Sequence, residues 1–198
     1  MSFNLLKQEY SQCAKCPSLC KSRTQVVFGS GNPQAQVLFI GEAPGASEDK
    51  NGTPFCGMSG RILTELLTSV GISREDVFIT NTILCRPENN RNPEKEEVAN
   101  CRDRLDQLIS IMKPKVIVTI GNFATERILG RKGITSLRGK LFTIQLNGVE
   151  VKVVPVIHPA SYLYSGRNPE LFQQMKHDFE TIAGVVNSVQ NLKSWEKF

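Results

Sequence analysis

The sequence predicts one α/β domain of three layers, with helices flanking a central, mainly parallel, four-stranded sheet. Three observations predict it. Short apolar runs of strand length alternate with longer segments whose apolar residues recur at helical spacing. The 198 residues, 40% hydrophobic and 22% charged, suffice for one packed core. No internal repeat or low-complexity stretch divides the chain, so residues 1–198 read as a single domain that carries a cysteine-bearing segment over about residues 1–25.

In order, "AQVLFIG" (35–41) is the first strand. "MSGRILTELLTSV" (58–70) has helical spacing and is closed by Gly71. "DVFITNTIL" (76–84) is the next strand. "NPEKEEVANCRDRLDQLISIMK" starts a long helix, with Asn92 as N-cap, Pro93 in the first helical position and acids in the first turn. "KVIVTIG" (115–121) is a strand, followed by a short helix near "NFATERIL". Residues 140–159 form a hairpin turning at Asn147-Gly148, whose second arm ends at His158, and a last helix covers roughly 170–188. In parallel sheets ligands sit at the carboxyl ends of the strands. The polar ends "GEAPG", "TNT" and "IHP" should therefore converge.

No apolar run approaches the roughly 20 residues that span a bilayer. "MSFNLLKQEYSQC" lacks the basic-then-apolar order of a secretory signal, so a cytoplasmic protein without membrane contact is expected. The net charge of +5 suits ordinary solubility; lysines and arginines nevertheless recur in loops ("LCKSR", "LGRKG", "SLRGK", "SGRNPE"), as a polyanionic partner would require. Six cysteines in a reducing compartment ask for a metal or redox explanation rather than disulfides. Cys13 and Cys16 form C-x-x-C, Cys85 follows a strand, and Cys101 lies in a helix where Val98, Leu105 and Leu108 also give it a packing role. On spacing alone zinc, an iron–sulfur cluster and a redox pair remain open.

A strand that breaks into a glycine-rich turn is a common phosphate site, but Glu42 would repel a phosphate. A G-x-x-x-x-G-K-[ST] motif is absent, and "GSGNPQ" lacks the third glycine of a dinucleotide loop. Of two histidines, His177 sits mid-helix, whereas His158 ends a strand before a proline. In "NGTPFCGMSG" the glycines and Pro54 hold Phe55 on a stiff loop, where it either plugs the core or stacks on a flat ligand.

Taken together, "GEAPG", "GTPFCGMSG", "TNTILCRPENNRNP" and "IHPA", with four cysteines in this order, resemble the family-4 uracil-DNA glycosylases. These are bacterial and archaeal base-excision enzymes that carry a [4Fe–4S] cluster. The resemblance runs from about Cys13 to the last helix. It implies Cys13, Cys16, Cys85 and Cys101 as cluster ligands, leaves Cys20 and Cys56 free, and gives the cluster a structural role. It also implies that the turn from Gly41 receives a uracil flipped out of single- or double-stranded DNA, with Phe55 stacking on the ring. Asn81 would bond the uracil edge, His158 would donate to O2, and Glu42 would place water or stabilise the cationic sugar. Arg86, Arg91, Lys140 and Arg167 would contact phosphates, with Leu163, Tyr164 or Arg167 as the wedge in the emptied stack. A monomer is expected. Two positions depart from the superfamily's best-studied members: Ala43 replaces an aspartate that handles water, and Gly45 replaces a tyrosine that excludes thymine's methyl. The alternatives are a zinc- or cluster-stabilised nucleic-acid-binding module, which leaves Glu42, Asn81 and His158 unused, and a relative acting on mismatched thymine or deaminated purines.

Overall fold

The computed structural model describes residues 1–146 and 148–195, with side chains as far as residue 189. Asn147, half of the expected hairpin turn, lies outside the described residues; Gly148 follows it at φ +78°. The sheet grows from β2 (Val37–Gly41), whose five residues are all buried, as a strand covered on both faces must be. Beside it lie β3 (Phe78–Asn81) and β4 (Val116–Ile120), both parallel to β2, and β6 (Val149–Val156) runs parallel to β4. The four expected parallel strands are thus the centre of the sheet. Two antiparallel edges extend it to six: the two-residue β1 (Ser30–Gly31) on β3, and β5 (Phe142–Leu146) on β6.

Alternation along the strands sends side chains to two cores. On one face Leu38, Ile40 and Ile117 meet α1 (Phe3–Ser11), α2 (Pro17–Ser22), α5 (Lys95–Met112) and α6 (Gly121–Leu129) through Leu6, Leu19, Leu105 and Ala124. On the other, Phe39 and Val118 meet α4 (Met58–Ser69) and α9 (Pro169–Trp195) through Leu63, Leu66 and Phe179. Short helices α3 (Ala46–Asn51), α7 (Ile134–Leu137) and α8 (Ala160–Tyr164) fill the connections.

Three boundaries differ from the sequence reading. Helix α5 begins at Lys95 rather than at Pro93, and Glu94 stands in the N-cap position in place of Asn92. The cause is Glu97, whose carboxylate accepts the Glu94 N–H at 2.8 Å and draws in Arg91, so the first turn closes without Asn92. The strand expected over 76–84 is only Phe78–Asn81: after the ladder bond from Thr82 N–H to Gly41 O at 2.8 Å, the very next residue, Ile83, donates to Glu42 O at 3.1 Å, which breaks the every-second-residue pattern of a parallel pair. The last helix starts at Pro169 and runs past 188 to Trp195.

Candidate active site

Parallel register brings the ends of β2 and β3 level, with Gly41 opposite Asn81, and β6 delivers His158 to the same edge. A cavity of about 830 Å³ opens there, lined among others by Glu42, Phe55, Asn81, His158 and Leu163. Gly41 itself does not line the cavity but packs against Asn81 and Phe55, which do. A Cβ on Gly41 would stand 2.3 Å from Asn81 Oδ1 and 2.8 Å from the Phe55 ring, so only glycine lets these two groups approach.

Asn81 is 2% exposed, yet its Oδ1 is buried without a hydrogen-bond partner. Such an orphan acceptor at a pocket wall is a site for an incoming donor. The backbone behind it is held by Arg104, fully buried in α5, whose Nη2 donates to Asn81 O at 2.6 Å and Thr82 O at 3.2 Å while Nη1 donates to Thr80 Oγ1 at 3.2 Å.

Phe55 takes a left-handed backbone at φ +50°, and its ring lines the cavity. The ring centroid lies 5.6 Å from that of His158, tilted by 30°. His158 Nδ1 accepts the Ala160 N–H at 3.1 Å. That bond leaves Nε2 as the protonated nitrogen of the neutral ring. Burial pushes the imidazolium pKa down to about 4, so the ring is a neutral Nε2–H donor at physiological pH. Glu42 points the other way: burial raises its carboxyl above the usual range. Glu48 Oε2 accepts the Gly45 N–H at 3.1 Å and thereby fixes the glycine turn. Ala43 and Gly45 also line the cavity, so both departures from the superfamily pattern fall in its wall.

The cationic residues divide. Arg91 lines the rim but both its Nη atoms grip Glu97, at 2.9 and 2.6 Å. Arg86 Nε donates to Asn90 Oδ1 at 2.8 Å, outside the lining. Lys140 is exposed beyond Gly139, whose N–H bonds Pro155 O at 2.9 Å, which sets Lys140 at the carboxyl end of β6. Arg167 is exposed at φ +62°, past the end of α8, and does not line the cavity. The structure adds Glu48, Met58 and Asn90 to the wall and places Tyr164, already a candidate wedge, there as well. Tyr164 is 89% exposed at its mouth. Nothing in their spacing singled out Glu48 or Asn90, whose segments are too short to carry a periodic signal, and Met58 opens α4, where the helical period marks the buried face and not the first residue.

The thiols form a second cluster on the α1–α5 side. Cys16, Cys85 and Cys101 are buried and Cys13 is half-buried, whereas Cys56 is exposed. Arg23 spans two of them, with Nη1 to Cys85 Sγ at 2.9 Å and Nη2 to Cys13 O at 2.6 Å. Asn100 Nδ2 points at Cys16 Sγ from 3.4 Å. Burial lifts the Cys85 thiol to about 11, against the pull of Arg23. N–H donors already aimed at sulfur suit thiolate ligands, so this set fits a cluster. Among the described residues no three Cys, His, Asp or Glu side chains already stand close enough together to hold a metal ion. No helix among the described residues is long and apolar enough to cross a membrane.

Residues 28–180 match the model of the uracil DNA glycosylase superfamily. The chain is 41% identical, over 96% of both chains, to a type-4 uracil-DNA glycosylase of Archaeoglobus fulgidus. It is 42% identical to that of Sulfurisphaera tokodaii over 91% of this chain and 83% of the relative. With that of Thermotoga maritima it shares 44% identity over 89% of this chain and 90% of the relative.

Proposed function

This chain belongs to the uracil DNA glycosylase superfamily, and from that membership and the pocket we propose how it releases uracil from DNA. It is a DNA-repair enzyme, a glycosylase that cuts the N-glycosidic bond of uracil and leaves an abasic site. The observation that carries the mechanism is the orphan Oδ1 of Asn81, buried at the end of β3 in the wall of a cavity that Phe55 and His158 also line.

A uracil turned out of the helix enters at the mouth and stacks on Phe55. Its N3–H donates to Asn81 Oδ1, and its O4 accepts from Asn81 Nδ2. His158 Nε2–H donates to O2. As the bond from C1′ to N1 stretches, N1 takes the bonding pair and charge spreads to O2, so this bond strengthens in the transition state. A neutral imidazole suits the task because it stabilises the anion without handing over a proton. The sugar becomes cationic, and Glu42, the acid of the turn, stabilises it and receives a proton from the water whose oxygen bonds C1′. Cys13, Cys16, Cys85 and Cys101 would hold a [4Fe–4S] cluster that supplies a structural tie and no electron. Lys140, Arg167 and the Arg86–Arg91 loop would meet phosphates, Leu163 would fill the emptied stack, and the enzyme would act as a cytoplasmic monomer.

The test is strand cleavage after alkali on matched oligonucleotides bearing one uracil or one cytosine. The protein should cleave only at uracil. Asn81→Asp, with acceptors alone when ionised, should weaken uracil excision and bring cytosine excision to a detectable level, while Asn81→Ala weakens the first without creating the second. Full uracil activity in Asn81→Asp overturns the base-reading role; no cleavage by the unaltered protein overturns the mechanism entirely.

A further inference from the structure

Phe55 stands in a conformation that residues with a Cβ rarely adopt, and something must hold it there. Two peptide planes flank it. The plane before it contains the Pro54 carbonyl, and Arg74 Nη2 donates to that oxygen at 2.7 Å. The same guanidinium reaches Thr64 Oγ1 at 3.2 Å and Gly60 O at 3.5 Å through Nη1, so it staples the loop to the first turns of α4. The plane after Phe55 is fixed by contact: a Cβ on Gly60 would stand 1.7 Å from Phe55 O, so the start of α4 lies directly on that carbonyl. With both planes fixed, φ and ψ of Phe55 are fixed, and so is the aim of its ring.

Arg74 forms no ion pair among the described residues; its fork is spent on two carbonyls and a hydroxyl. Its position in the chain matters as well. Residues Arg74–Asp76 form the 3-10 turn that leads into β3, and β3 ends in Asn81. One short segment therefore carries the edge-reading amide at one end and the anchor of the stacking ring at the other.

We propose that Arg74 is a positioning residue for uracil excision, holding Phe55 in its left-handed pose and registering the stacking wall of the pocket to Asn81. The inference rests on the reading of Phe55 as the stacking residue. Losing the clamp lets the Pro54–Phe55 peptide rotate, so that Phe55 relaxes toward an ordinary φ and its ring leaves the wall. A displacement of about 1 Å in such a site lowers efficiency by one to two orders of magnitude.

The experiment is a double-mutant cycle on the full protein, reading kcat/KM on a uracil oligonucleotide and Tm by circular dichroism. Arg74→Met should lower kcat/KM about tenfold, mostly through KM, and Arg74→Lys should recover part of it. In the Phe55→Ala background Arg74→Met should cost less than twofold, because no ring is left to aim. Equal losses in both backgrounds overturn the proposal and leave the stacking reading standing. Full activity in Phe55→Ala overturns both. If Arg74→Met does not fold, Thr64→Val removes one anchor of the guanidinium and enters the same cycle, with a two- to threefold loss expected only when Phe55 is present and the same loss in both backgrounds counting against the clamp.

Discussion

At the scale of single residues, two titratable groups of the pocket are pushed in opposite directions by one cause. Burial drives His158 down to about 4 and Glu42 above its ordinary value of 4.5, so Glu42 takes up its proton at higher pH than His158 does. The acid limb of kcat therefore belongs to Glu42. We expect Glu42→Gln to abolish that limb, and His158→Ala to keep its midpoint while lowering the plateau about 10²–10³-fold. Measuring kcat between pH 4 and 8 checks this, and a limb centred near 6.5 that vanishes in His158→Ala would mean a solvated, titrating imidazole instead. The placement of Glu42, Asn81 and His158 around one cavity was legible in the sequence, since each ends an apolar run. Arg74 and Arg104 were not. An arginine in a turn or helix reads as a solvated charge, and both spend their donors on backbone carbonyls, which leave no trace in a sequence.

At the scale of elements, periodicity located the long helices and the buried strands, and failed where a few residues decide. The start of α5 shifted because a side-chain bond from Glu97 competed with the asparagine cap, a contest that residue types alone do not settle. Helices α2, α3, α7 and α8, of four to six residues, are too short to show a period. The cysteine-bearing elements carry a prediction of their own. Because Arg23 already donates to Cys85 Sγ and Asn100 of α5 to Cys16 Sγ, replacing Cys13, Cys16, Cys85 or Cys101 with Ala should remove visible absorbance and lower Tm, whereas Cys20→Ala and Cys56→Ala should leave both unchanged. Metal analysis should find about four irons per chain. A colourless, folded protein holding zinc would refute the cluster.

For the molecule as a whole, the central parallel sheet followed from the alternation of apolar runs and helices, while its edges did not. The two residues of β1 carry no strand signal, and they pair because Gly31 permits a φ of +106° against β3. The cavity, the exposed Lys140 and the exposed Arg167 lie toward the carboxyl end of the sheet, the end we propose meets DNA. Binding to DNA should weaken steeply with salt through counterion release. Lys140→Ala or Arg167→Ala should flatten the slope of log Kd against log salt by about one without altering the choice of base. Arg91→Ala should act differently, since its charge is already committed to Glu97 and its loss loosens the rim of the pocket. Titrations at several salt concentrations distinguish the two, and an unchanged slope in both Lys140→Ala and Arg167→Ala would place the phosphates elsewhere.

The reach of Asn100 back to Lys15 O and Cys16 Sγ has a consequence during synthesis. Cys16 precedes Cys101 by 85 residues, with nearly the whole first half of the sheet between them. At roughly 5–20 residues per second the ribosome exposes the first two thiols for about 4–17 s before the last of their partners, Cys101, emerges. During that interval the early pair is open to oxidants and to stray metal, and nothing in the nascent segment shields it. With the proposed cluster in place, the return of the first-made segment would wait on a helix made 85 residues later, so iron and sulfide would be needed only once Cys101 has emerged, halfway along the chain.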